Sequence, residues 1–248
     1  MMMKKQNGKV LIMSVLLGMI FGFFAYTNAI NHLENHAIAT DANYLELGDI
    51  LVASFLHHDF EQFDYLWRND SSILLAPIVF YLIGSLIGAH SFLRKNKGYH
   101  YFIYARCQNN ANLAPRLLGK IWIPLFFYQL FYWIGIFIGM LIFESEFIEP
   151  VLSMSMMDLV AFFTIRLLML AFLVFATFIV FIKREAAIAI LANILMIVLM
   201  LLISNHIRFV NLAFLADLNS MIGSILLWIP INLLMYVIIK FGVRYELS

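Results

Sequence analysis

Few side chains in this 248-residue chain are of types that do chemistry, and their spacing limits what that chemistry is. His32 and His36 stand four apart, and His57-His58-Asp59 follow after an interval. Together they offer the nitrogen and oxygen donors that hold a borderline transition metal. The plainer reading is a polar stretch with scattered imidazoles, and no metal or other cofactor is expected. Ser85 and His90 lie five apart in one apolar run without a G-x-S-x-G context, which does not make a nucleophile and its base. H-E-x-x-H does not occur, so a zinc protease of that type has no support, and no G-x-x-x-x-G-K-[ST] loop exists to cradle a nucleotide. The chain is therefore expected not to be an enzyme. What remains are polar residues inside apolar runs: Gln129, Arg166, Asn193 and Asn232. Such residues mark a functional site or join helices by hydrogen bonds. Arg166 follows Asp158 by eight residues, and its long stem can carry the guanidinium outward to the interface or into an ion pair.

The elements that position these residues follow from composition. Apolar residues make up 63% and charged residues 12%, against about 45–50% and 25% in a soluble globular domain. That much apolar surface needs hydrocarbon as its solvent. Six runs reach the roughly 20 residues that cross a bilayer: 10–30, 73–93, 121–143, 159–182, 186–204 and 221–241. Buried backbone must be satisfied within each run, so the expected fold class is all-α, a polytopic membrane protein of six transmembrane helices. The first run follows Lys4, Lys5 and Lys9 without a clean cleavage site and reads as a retained anchor. The single cysteine, Cys107, has no partner for an internal disulfide, and a net charge of +1 argues against nucleic acid.

Charge sets the orientation. Lys4, Lys5, Lys9, Arg94, Lys95, Lys97, Arg106, Arg116, Lys120, Lys183, Arg184, Lys240 and Arg244 all fall on one side of the six runs, and the other side holds Arg68 and Arg208. The positive-inside rule then predicts both termini in the cytoplasm. The external segment 31–72 is acidic, and its apolar spacing from Tyr44 to Phe55 predicts a short amphipathic helix on the outer surface. Asn69-Asp70-Ser71 in the same segment matches a glycosylation acceptor, a tripeptide common by chance. Three small-xxx-small pairs, Gly18/Gly22, Gly84/Gly88 and Gly135/Gly139, predict close helix approach, within the chain or between chains.

The cytoplasmic segment 94–120 runs basic, then aromatic, then polar. Its residues Gly98-Tyr99-His100-Tyr101-Phe102-Ile103-Tyr104-Ala105-Arg106, followed by Pro115-Arg116-Leu117-Leu118-Gly119-Lys120, resemble the permease subunits of type-2 ABC exporters, in particular the small bacteriocin-associated and peptide-resistance permeases of Gram-positive bacteria. The resemblance implies a permease in a bacterial cytoplasmic membrane, powered by a separate ATPase subunit, completed by a second permease copy or paralogue, and moving peptides or other amphipathic cargo. It further implies that Tyr99, Tyr101, Phe102, Tyr104 and Arg106 belong to the coupling element that docks on the ATPase, and that Lys120 is the lysine opening the third span. Two features depart from the pattern. About nine residues precede the first run where an elbow helix is usual, and residues 209–218 are at most a remnant of a re-entrant pair. Both favour, as the alternative, a non-transporting scaffold, sensor or immunity subunit. A lipid-modifying membrane enzyme is a third reading, which would need a cluster of catalytic polar residues that the sequence does not show.

Overall fold

The structure, a computed structural model, describes residues 2–40, 45–46, 75–93, 119–142, 148–149, 156–204 and 221–242. Among the described residues each of the six apolar runs holds a helix: α1 (Met2–Thr40), α2 (Leu75–Leu93), α3 (Trp122–Ile142), α4 (Met156–Lys183), α5 (Ala186–Ser204) and α6 (Met221–Val237), the last continuing as a π-turn at Ile238–Gly242. Gly8–Asn31, Trp122–Ile142 and Leu159–Lys183 are long and apolar enough to cross a membrane, which marks the chain as a membrane protein. Leu75–His90, Ala186–Met200 and Ile225–Phe241 are shorter apolar helices. Pro77 and Pro124 each sit third in their helix, where backbone N–H groups have no intrahelical acceptor to lose. Arg184 and Glu185 alone separate α4 from α5. The amide of Arg184 reaches Val180 O at 2.8 Å and that of Ala189 reaches Glu185 O at 3.0 Å, so the chain reverses in one tight turn.

One expectation for segment 31–72 is corrected, and the first helix runs on beyond its apolar span. The apolar part of α1 is Gly8–Asn31, and the helix continues past it to Thr40, because residues 31–40 contain neither Gly nor Pro and a helix entering water keeps its backbone bonds. Leu45 and Glu46 are extended rather than helical. They pair in parallel with Ile148 and Glu149, and the strand pairing satisfies backbone groups that a helix start would leave open. The remainder of the expected Tyr44–Phe55 helix lies outside the described residues.

Side-chain pairings give the helix directions. Along α1 and α3, Gly18 meets Tyr128, Gly22 meets Tyr132 and Tyr26 meets Gly139, so the two run parallel. Along α2 and α4, Tyr81 meets Arg166, Gly84 meets Leu170, Gly88 meets Val174 and Phe92 meets Phe178, so these also run parallel. The two pairs oppose each other: Trp122 packs on Phe175 while Gln129, seven residues on, bonds to Phe163. The extended residues after α1 and α3 therefore leave in the same direction and pair in parallel. α4 is the central helix, packed against α2, α3, α5 and α6, with 72% of its apolar window buried against 28% for α1 and 39% for α3. The glycine pairs of α1 and α3 face each other. A Cβ on Gly22 would overlap Tyr132 O, one on Gly135 would overlap Met19 O, and one on Gly18 would lie 2.5 Å from Tyr128 O. Backbone meets backbone here within one chain.

Candidate functional site around Arg166

Three of the four polar residues singled out by type, Gln129, Arg166 and Asn232, gather on one layer of α4. Arg166 is fully buried, and its Nη1 donates to Tyr81 Oη on α2 at 2.8 Å and to Met169 Sδ at 3.6 Å. The Tyr81 hydroxyl in turn donates to Met169 Sδ at 3.5 Å. The guanidinium carbon lies 4.7 Å from the centroid of the Phe162 ring, one turn back on the same helix, within cation–π range. The head group is thus enclosed by protein rather than carried outward to the interface. Phenol, thioether and aromatic face replace part of its hydration, so nothing drives the stem toward the interface.

Two amides reach the same layer from other helices. Gln129 Nε2 on α3 donates to Phe163 O at 2.7 Å, and Asn232 Nδ2 on α6 donates to Leu168 O at 3.0 Å and to Trp228 O of its own helix at 2.9 Å. Residues 163 to 169 span about 9 Å of helix rise, so α2, α3 and α6 are all hydrogen-bonded to one thin slab of α4. The third amide works elsewhere. Asn193 Nδ2 on α5 donates to Ser85 Oγ on α2 at 2.7 Å, and Ser85 Oγ donates to Leu82 O at 3.0 Å. Ser85 is therefore a node between helices, engaged on both sides and separate from the partly exposed His90. The amide oxygens of Gln129, Asn193 and Asn232 accept no hydrogen bond among the described residues.

Aromatic rings fill the space between these links. Phe80 packs on Tyr128, Tyr132 and Tyr81 at centroid distances of 5.6, 4.7 and 5.0 Å, and Tyr128 Oη donates to Phe80 O at 3.2 Å. Trp133 meets Phe163 at 5.5 Å. Tyr81, Tyr128, Phe162 and Met169 were not singled out in the sequence. The available signal was a phenol in mid-run, since tyrosines in spans concentrate at the interfaces.

The remaining candidates are placed as follows. Lys120 is exposed in the turn that leads into α3. His32 and His36 belong to the helical backbone of α1, and their side chains are outside the described part. Tyr99, Tyr101, Phe102, Tyr104, Arg106, His57 and His58 lie outside the described residues. Among the described residues no group of three metal-ligating side chains occurs. The chemistry of the Arg166 layer is fastening: a buried guanidinium backed by phenol and aromatic faces, and amides that bind backbone carbonyls across helices. No family model, curated protein or solved structure matches this chain.

Proposed function

We propose that the chain is the membrane-spanning permease subunit of an ABC transporter in a bacterial cytoplasmic membrane. In this reading it has six spans with both termini inside, and it exports, or confers resistance to, peptides or other amphipathic cargo. The observation that carries the reading is the shared end of the helices. The directions of α1 to α4 bring the starts of α1 and α3 and the ends of α2 and α4 to one face of the bundle. Exposed Lys9, Lys120, Lys183 and Arg184 stand at that face, and so do both ends of the segment that joins α2 to α3. That segment, 94–120, is the longest connection there, and the Arg184–Glu185 turn has no room for a docking element. With no phosphate-binding loop in the chain, the energy comes from a separate ATPase that docks on this face, with a second permease copy or paralogue completing the pathway.

The test is co-purification with a tagged ATPase encoded nearby, and then Arg106→Glu. Reversing a partly buried interfacial charge should weaken the complex by about 2 kcal/mol or more. An arginine that merely anchors to headgroups contributes about 1 kcal/mol to membrane attachment and leaves the complex intact. Failure of any ATPase to co-purify with the wild-type chain refutes the permease reading. A second reading, the non-transporting scaffold or immunity subunit, is favoured by one observation: Gln129, Asn193 and Asn232 each donate a hydrogen bond to a neighbouring helix.

A further inference from the structure

We infer that the starts of α1 and α3 form a seat for an anionic phospholipid, with Lys9 and Lys120 taking the headgroup phosphate and the outer faces of the two helices taking the acyl chains. The inference rests on the chain's place in a membrane and not on the permease reading.

The two lysines stand at one height on neighbouring helices. Gly18 meets Tyr128 and Gly22 meets Tyr132, so the parallel helices α1 and α3 keep a constant offset of 110 residues. The same offset carries Lys9 to Gly119, next to Lys120. Both lysines are exposed, and among the described residues neither forms an ion pair. Each lies at the edge of an apolar window, Gly8–Asn31 for Lys9 and Trp122–Ile142 for Lys120, which is the depth at which the hydrocarbon core gives way to headgroups. Trp122, half-buried with its ring 6.2 Å from that of Phe175, marks the same level, as indoles do at membrane interfaces. Apolar faces continue from both lysines toward the membrane interior. Lys9, Met13, Leu16 and Ile20 recur at helical spacing and are all exposed. On α3, exposed Ile123 and Phe126 follow Lys120, and the half-buried Phe127 and Phe131 stack at 6.4 Å. Phe131 borders α1, since a Cβ on Gly18 would lie 3.1 Å from its own Cβ. A tail laid along this seam therefore touches both helices beneath both cations.

Charge and height together select a lipid over an acidic protein. Lys183 follows Phe175 by eight residues on α4, so it and Arg184 stand about 12 Å of helix rise beyond the level of Trp122. Among the described residues the acidic side chain at this end of the bundle is Glu185, in the same outlying turn. A protein that docks on this end meets that tip first, whereas Lys9 and Lys120 are recessed to the depth of the headgroups. Two cations with no described carboxylate at their level complement a phosphodiester. A zwitterionic headgroup brings its own cation and loses that advantage.

The experiment uses the full chain in detergent, with no ATPase present, titrated with phosphatidylglycerol or with phosphatidylcholine of the same acyl chains and read by native mass spectrometry. The wild type should retain phosphatidylglycerol over phosphatidylcholine. Lys9→Gln and Lys120→Gln should each lower phosphatidylglycerol affinity about fivefold, the effect of one lysine at an anionic surface, whereas Lys120→Arg should keep it. Lys183→Gln, at the outlying tip, should leave the affinity unchanged. Inorganic phosphate should not displace the lipid, because it has no tails to lay on the helices. Equal retention of the two lipids, an equal loss from Lys183→Gln, or displacement by inorganic phosphate overturns the inference. Unchanged lipid affinity in the Lys9 and Lys120 variants overturns it too, and loss of a co-purifying ATPase in those variants would then assign the pair to a protein partner. A chain that keeps the lipid preference but binds no ATPase refutes the permease reading and leaves the lipid seat standing.

Discussion

Replacing Gly22 by alanine tests the packing most sharply, because the added methyl meets nothing that can turn aside. Its three nearest neighbours would be the carbonyl oxygen, carbonyl carbon and Cα of Tyr132, all backbone. The shortfall can be measured at the neighbouring position, where a Cβ on Gly18 lies 2.5 Å from Tyr128 O and ordinary contact begins at 3.4 Å. The helices must part by about 1 Å there, and by more at Gly22. A gap of that size forfeits a quarter to a half of each dispersion contact along the seam. Overpacking costs about 1–3 kcal/mol, and the rigid obstacle puts Gly22→Ala near the upper end. Gly8→Ala is the control. A Cβ there meets nothing within 4 Å, so the change should be neutral or stabilise by up to about 1 kcal/mol through helix propensity. Unfolding in mixed micelles, titrated with dodecyl sulfate and followed by tryptophan fluorescence, gives both values. A Gly22→Ala stability within about 0.5 kcal/mol of Gly8→Ala refutes the close seam.

Tyr81→Phe removes the hydroxyl acceptor of Arg166 Nη1 and keeps the ring packed on Phe80, so the same titration should show a loss of about 1.5–3 kcal/mol, as expected for a bond to a charged donor. Arg166→Leu replaces a buried charge in an apolar run, and the fourth helix should insert more readily by about 3 kcal/mol in a glycosylation-based insertion assay, with the helix bundle retained. Loss of insertion in that variant would show that the guanidinium serves the fold in a way its described contacts do not explain.

The helices were legible because hydropathy is a one-dimensional signal: a run of 20 apolar residues needs no partner to be recognised. Their partners were not legible. Gly18/Gly22 and Gly135/Gly139 carry the same pattern whether they meet within a chain or across a dimer, and only the fold shows that they meet each other. Arg166 illustrates the same limit, since a long stem fits snorkelling as well as burial until Tyr81 and Phe162 are brought beside it from distances that no spacing rule encodes. Ser85 was weighed as a nucleophile because its partner in space, Asn193, lies 108 residues away. The extension of α1 to Thr40 left no hydropathy signal, because a helix continuing into water loses its apolar periodicity without losing its backbone bonds. The two-residue pairing of β1 (Leu45–Glu46) with β2 (Ile148–Glu149) is too short for any strand pattern to show.

In the proposed permease, ATPase docking and the direction of every span depend on the basic end of the bundle facing the cytoplasm. Single cysteines at Asp49 and at Lys97, each in a Cys107→Ser background, should be treated in intact cells with a membrane-impermeant maleimide. The cysteine replacing Asp49 should label at once, and the one replacing Lys97 should label only after the membrane is permeabilised. Labelling at Lys97 but not at Asp49 in intact cells would contradict the orientation and, with it, the proposed docking face.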